Sequence, residues 1–109
     1  MAIAYKVLGQ SNPAATTATT LYTVPSLTSA VVSTITVCNQ AATAGTFRIA
    51  IRPAGATLAT VHYVSYDTIV PANDTISLTL GITLATTDVI TVYASSTTMS
   101  FHAYGSEIT

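Results

Sequence analysis

Alternation of apolar and polar positions with a period of two is the dominant pattern along this chain. It is clearest in 46–52, where Phe47, Ile49 and Ile51 point one way and Arg48, Ala50 and Arg52 the other. Charge on the alternate face of such a run means one side buried and one side wet. The same period appears in 3–8, where Ile3, Tyr5 and Val7 share a face, and in 30–39, where Val31, Ile35 and Val37 do. It returns in 76–84, where leucines and isoleucines alternate with Ser77, Thr79 and Thr83 until Gly81 interrupts at a bulge or bend. It closes the chain in 99–104, where Met99, Phe101 and Ala103 alternate with Ser100, His102 and Tyr104. Residues 21–24 and 89–94 add two short β-branched strands. Residues 62–70 are apolar or aromatic on both faces, the pattern of a strand covered on both sides.

Between these runs stand turn residues: Pro25, the 41–45 segment ending in Gly45, Pro53 and Gly55, Pro71-Ala72-Asn73-Asp74, and Thr86-Thr87-Asp88. Gly105 and Ser106 read as a loosened C-terminal tail, and the Ala/Thr-rich 10–20 segment as an extended loop or arm. No window shows the i, i+3, i+4, i+7 spacing of an amphipathic helix. Without crossover helices the strands pair mostly antiparallel. The prediction is therefore all-β: a single antiparallel β-sandwich of seven to eight strands, immunoglobulin-like or jelly-roll, spanning 1–109 as one domain.

Composition changes this picture in one respect. Only 6% of the residues are charged, three basic and four acidic, for a net charge of -1. A typical soluble domain carries roughly 25%. That balance offers no basic face to displace counterions from nucleic acid and none to attract an anionic membrane. Thr, Ser and Ala fill the polar positions instead. So weakly charged an exterior suits a protein that spends its life packed against copies of itself or a partner. The single cysteine, Cys38, reads as a small reduced side chain in a strand and allows no internal disulfide. Residues 1–10 lack a basic stretch followed by a long apolar run, so they do not read as a signal peptide, and no run approaches membrane-spanning length. Synthesis in a cytoplasm is the expectation.

The search for chemistry returns little. Asp74 and Asp88 fall in turns, where aspartate bonds its own backbone. Asp67 sits in or beside a strand and can pair with Arg48 or Arg52 across it. His62 and His102 have no cysteine or carboxylate cluster around them, so zinc would require three copies to bring one histidine each to a symmetry axis. There is no G-x-S-x-G elbow, no P-loop and no G-x-G-x-x-G. No catalytic, cofactor-binding or metal-binding residue is assigned, and the expectation is a non-enzyme without cofactor. Of the six tyrosines, Tyr63, Tyr66 and Tyr104, with their half-polar aromatic neighbours His62 and His102, are the candidate interface residues.

Several strings occur together: Leu21-Tyr22-Thr23-Val24-Pro25, the run 46–51 followed by Arg52-Pro53-Ala54-Gly55, His62-Tyr63-Val64-Ser65-Tyr66-Asp67, the run 87–94, and the ending 100–107. In these the chain resembles, over nearly its whole length, short β-sandwich structural proteins of tailed phages, including those infecting cyanobacteria. The shared strings are strand-and-turn patterns rather than catalytic signatures, so no residue roles carry over. The resemblance implies a virion component, made in the host bacterial cytoplasm. A capsid cement or decoration protein is the leading expectation, a homotrimer docked on the major capsid protein. A tail, neck or fibre-associated module is the alternative within that class. Two other classes stay open: a carbohydrate- or receptor-binding module using exposed tyrosines, and an enzyme with a pocket uniting Asp67 and a histidine.

Overall fold

Alternation decides which side chains turn inward. In β4 (Gly45–Arg52) Phe47 and Ile49 are fully buried while Arg48 and Arg52 face outward. In β9 (Met99–Ile108) Met99, Phe101 and Ala103 are buried in the same way. The computed structural model describes residues 2–109. Besides these two strands it contains β1 (Ile3–Ser11), β2 (Thr19–Thr23), β3 (Ser29–Asn39), β5 (Tyr63–Val70), β6 (Thr75–Leu78), β7 (Ile82–Leu84) and β8 (Val89–Ala94). Two single 3-10 turns, Pro53–Gly55 and Thr60–His62, lie between β4 and β5. No helix among the described residues is long and apolar enough to cross a membrane.

The strands form two antiparallel sheets. Sheet A runs β1-β9-β3-β6, with β7 also paired to β3; sheet B runs β2-β8-β4-β5. Because β6 and β7 lie in succession along β3, they are one strand interrupted at 79–81, where Gly81 takes a φ of +65°. The pairs β1–β9, β2–β8, β3–β6/β7 and β4–β5 are then those of one long antiparallel hairpin wound round a common core. That is the jelly roll, and it settles which of the two sandwich topologies the chain adopts. Phe47 of sheet B meets Phe101 of sheet A edge to face, ring centroids 6.1 Å apart, with Ile35, Val37, Ile90, Val92 and Met99 packed around them.

Three readings of the sequence need correction. Gly105 and Ser106 do not loosen a tail: β9 continues to Ile108, paired with β1 on one side and β3 on the other. Gly105 marks a close approach instead. A Cβ there would lie 1.9 Å from the Val31 carbonyl oxygen, because β3 bulges at Ser33 and crowds its neighbour. The bulge at Leu8 in β1, the bulge at Ser33 in β3 and the break at Gly81 all fall at the level of Ala103–Gly105 in β9. Second, β5 is not covered on both faces. It is the outer edge of sheet B, with Val64, Tyr66 and Ile69 exposed and only Val70 fully buried. Third, two shared faces differ from the reading: β1 extends to Ser11 with Ile3, Tyr5 and Val7 on its outer face and Leu8, displaced by the bulge, reaching the core, and the bulge at Ser33 parts exposed Val31 from buried Ile35 and Val37. The segment after β1 is held against the β8–β9 end of the molecule. Asn12 Nδ2 donates to the Thr97 and Met99 carbonyls, and the Thr16 N–H to that of Ala94.

Two polar devices close the sandwich. Buried Asn39 donates to the Thr43 carbonyl at 2.9 Å, with those of Val70 and Pro71 also in reach, and its Oδ1 accepts from the Ala41 N–H and the Thr98 hydroxyl. One amide thus ties together three loops at one end. At the other end Glu107 accepts from Lys6 at 2.8 Å and from the Tyr22 hydroxyl, linking sheet A to β2 of sheet B. The hydrogen bonds from Lys6 and from Tyr22, in that order, hold the Glu107 carboxyl below its ordinary value of 4.5. Burial, then the hydrogen bond to Glu107, pushes the Tyr22 phenol well above its ordinary value of 10.0.

Substituting Gly105→Ala is expected to cost at least about 2 kcal/mol, as overpacking against an immobile backbone does, measured by urea denaturation. The Glu107 clasp predicts a pH dependence. Its folded pKa lies below the unfolded one, so its stabilisation is complete above pH 4.5 and is lost as pH falls through the folded value. Glu107→Gln should flatten that acid limb of the stability–pH curve.

Candidate functional site

The five candidate residues do not form one site. His62, Tyr63 and Tyr66 belong to sheet B or the turn leading into it; His102 and Tyr104 lie on sheet A. The two sets therefore look out from opposite sides of the sandwich, and each has its own character.

On sheet B, β4 supplies Arg48, Ala50 and Arg52 to the outer face, β8 supplies Thr91 and Tyr93 opposite Ala50 and Arg48, and β5 supplies Tyr63 opposite Ala50. Tyr63 and Tyr66 are three positions apart, which on a regular strand puts them on opposite faces. Of two register shifts in β5, the first, between the partners of Phe47 and Ile49, falls at Tyr66–Asp67, and the second, between those of Ile49 and Ala50, falls between the two tyrosines and brings both to the outer face. Their rings meet at 4.9 Å, nearly perpendicular. Asp67 sits at the first shift with a φ of +50°, in the left-handed region that Asp tolerates better than most residues. There it accepts from Arg48 Nε at 2.7 Å and from Nη2 at 3.3 Å. The Arg48 guanidinium is stacked between two rings, its Cζ 4.2 Å from the centroids of both Tyr66 and Tyr93. The Asp67 hydrogen bond raises the Arg48 pKa above its ordinary value, keeping it cationic.

Asp67 thus pairs with Arg48 and not with Arg52. Arg52 donates to the Ala56 and Gly55 carbonyls and to the Thr91 hydroxyl, lying flat along the sheet. Under this layer Ala50 and Thr91, outward by alternation, are only 1% and 5% exposed. The outer face of sheet B is paved by its own tyrosines and arginines. Arg48 and Tyr93 were not among the candidates. The alternation already placed Arg48 outward, but its partner across the sheet, Tyr93, depends on a register that only the fold supplies.

Sheet A is different. Its outer face presents Ile3, Tyr5, Val7 and Gln10 from β1, His102, Tyr104 and Ser106 from β9, Val31, Thr34 and Thr36 from β3, and Ser77 and Thr83 from β6 and β7. None of these is Lys, Arg, Asp or Glu; Lys6 and Glu107 of the same strands turn to the other side and meet each other. Tyr5 is 84% exposed, and Ile3, Val7, Val31 and Tyr104 are exposed beside it. The His102 and Tyr104 rings are parallel, centroids 6.1 Å apart, and His102 Nδ1 bonds Gln10 Nε2. A shallow groove of about 260 Å³ lies beside His102, lined also by Gln10, Asn12 and Ser100. Cys38, a half-buried free thiol, lies at the same level between Ser100 and Thr75.

The remaining ionisable groups serve local structure. Asp88 accepts from the Ala54 and Ala85 N–H groups, Asp74 from that of Thr75, and His62 Nδ1 from that of Ala59. Among the described residues no group of three or more His, Cys, Asp or Glu side chains could hold a metal ion. No family model, curated protein or solved structure matches this chain.

The contrast between the faces is measurable in stability. Tyr63→Ala removes an aromatic pair and the cover over Ala50 and should cost about 1–2 kcal/mol. Tyr5→Ala, on the open face, should stay within about 0.5 kcal/mol. Urea denaturation midpoints of the two variants check this.

Proposed function

We propose that this chain is a structural component of a phage virion, a capsid cement or decoration protein that assembles as a homotrimer and docks on the shell of the major capsid protein. The observation that carries the reading is the outer face of sheet A, free of Lys, Arg, Asp and Glu, with its exposed stripe of Ile3, Tyr5, Val7, Val31 and Tyr104. Contiguous exposed apolar surface of this sort marks contact sites on soluble proteins. A face without Lys, Arg, Asp or Glu side chains packs against a different patch of a neighbouring copy, as a closed trimer requires, with no ion of its own to desolvate. In this reading the stripe is covered by a neighbouring copy of the chain. One broad side of a molecule measuring 45 × 27 × 20 Å can supply the roughly 800 Å² per partner of a standard interface.

Edge strand β1 supports the same assignment. It is nine residues long, has no proline, and turns its only charged side chain, Lys6, away from the exposed face. Strand edges of that kind associate unless they are blocked. The jelly roll is also an architecture used by viral capsid domains, an analogy at the level of fold alone. The chain then works by binding, without chemistry of its own: Asp67 is engaged by Arg48, Asp74 and Asp88 are engaged in turns, and His62 lies in the turn leading into sheet B while His102 lies on sheet A. Its place is the virion, reached after synthesis in the host cytoplasm, and a tail, neck or fibre position would use the same surface.

Sedimentation velocity should give about three times the 11.2 kDa chain mass for the native protein. The variant combining Tyr5→Glu with Val7→Lys should sediment as a monomer with unchanged far-UV circular dichroism. A native protein that stays monomeric at high concentration, or an oligomer indifferent to both substitutions, contradicts the assignment of the stripe. Mass spectrometry of purified virions tests the wider reading, which requires the chain among the structural proteins.

A further inference from the structure

We infer that the outer face of sheet B carries a saccharide-binding platform for a neutral hexopyranose, built on Tyr66 and Tyr63 and hydrogen-bonded by Asp67 and Arg48. Three features point to it. The first is a fixed aromatic surface. Tyr66 is 58% exposed, yet Arg48 is stacked against its ring and Tyr63 stands perpendicular to it at 4.9 Å. An exposed tyrosine held this way loses little freedom when a ligand covers it, and it offers an apolar body with a polar tip. The C–H face of a pyranose suits such a ring, and Tyr63 supplies a side wall.

The second feature is the hydrogen-bonding equipment at the edge of that surface. The Asp67 carboxylate is 45% exposed and accepts one bond from Arg48 on each oxygen, which leaves acceptor capacity on both. Arg48 Nη1 donates to no group among the described residues. The ion pair is locally neutral, so an anion would face the carboxylate and a cation the guanidinium. A hydroxyl group can donate to one and accept from the other, and vicinal hydroxyls can use both carboxylate oxygens. Polyol chemistry therefore fits this pair better than either charge.

The third feature is the backbone that puts these groups together. Asp67 occupies the left-handed region, and the two register shifts around it are what bring Tyr63, Tyr66 and Asp67 to one surface. Such conformations persist where the surroundings fix them, and they cluster at binding sites. The platform lies on the opposite side of the sandwich from the stripe of Tyr5 and Tyr104, so both can be occupied at once. The inference stands independently of the virion reading.

The test is an NMR titration of the native protein with gluco-, galacto- and manno-configured oligosaccharides in turn. At least one series should give saturable shifts centred on Tyr63, Tyr66 and Asp67. Tyr66→Ala and Asp67→Asn should each weaken that binding by about tenfold, whereas Tyr104→Ala leaves it unchanged. The Tyr5→Glu, Val7→Lys variant should still bind, which separates this result from the outcome for the oligomer. No saturable shift with any of the three series overturns the inference. So does binding that survives Tyr66→Ala, or a Tyr66→Ala variant whose defect is in sedimentation, which would make the patch a protein interface.

Discussion

The packing of Phe47 against Phe101 is the contact on which the rest of the molecule depends. Each ring sits on an inner strand of its sheet: Phe47 on β4, between β8 and β5, and Phe101 on β9, between β1 and β3. Once that pair faces inward, a period of two fixes the direction of every other side chain on the two strands, and the ladder passes that choice to their neighbours. Met99, Ile49, Val92 and Val37 then fall into the interior in register with the rings. Shifting either strand by one residue would place both arginines of β4, or His102 and Tyr104 of β9, in the core. The burial cost of those polar groups is what makes the register unique.

With the interior filled in this way, a chain holding so few charges has little left to distribute over two outer surfaces, and the distribution is uneven. Arg48, Arg52 and Asp67 go to sheet B, where the arginine stems and tyrosine rings lie flat and cover the sheet beneath them. Sheet A receives none. Its charged pair, Lys6 and Glu107, is drawn to the inner side, where it clasps the sheets together through Tyr22. On sheet B these side chains cover Ala50 and Thr91 at the centre of the sheet and leave only its β5 edge exposed, while sheet A leaves Tyr5 and its neighbours uncovered. The proposed docking role follows from that asymmetry and the proposed saccharide platform from the rigidity of the sheet B side.

How much of this was legible in the sequence depended on whether a feature lived in one strand or between two. The inward sets of β4 and β9 were readable, because alternation is a property of a single segment. So were the turn roles of Asp74 and Asp88, which are local hydrogen bonds. The sandwich class followed from the absence of helical spacing, but the choice of jelly roll required the pairing of β1 with β9, residues at the two ends of the chain. Bulges were the main obstacle. They turned Tyr63 and Tyr66 to the same side, aimed Leu8 inward, and made Gly105 a point of backbone contact where its residue type reads as looseness. The five candidate residues were chosen as aromatic neighbours in sequence. The fold divides them because β5 and β9 belong to different sheets. Asp67 had two possible arginine partners in the sequence; the register of β5 on β4 selects Arg48, and Tyr93 joins them only through the pairing of β4 with β8.

The two outer surfaces differ: that of sheet A is apolar and open for contact with other copies, while that of sheet B carries the Arg48–Asp67 pair among stacked tyrosines. Hydroxyl-radical footprinting read by mass spectrometry, on the protein at dilute and at assembling concentrations, measures this residue by residue. Tyr5 and Tyr104 should lose reactivity on assembly while Tyr66 keeps it. Protection of Tyr66 with Tyr5 still fully reactive would contradict this.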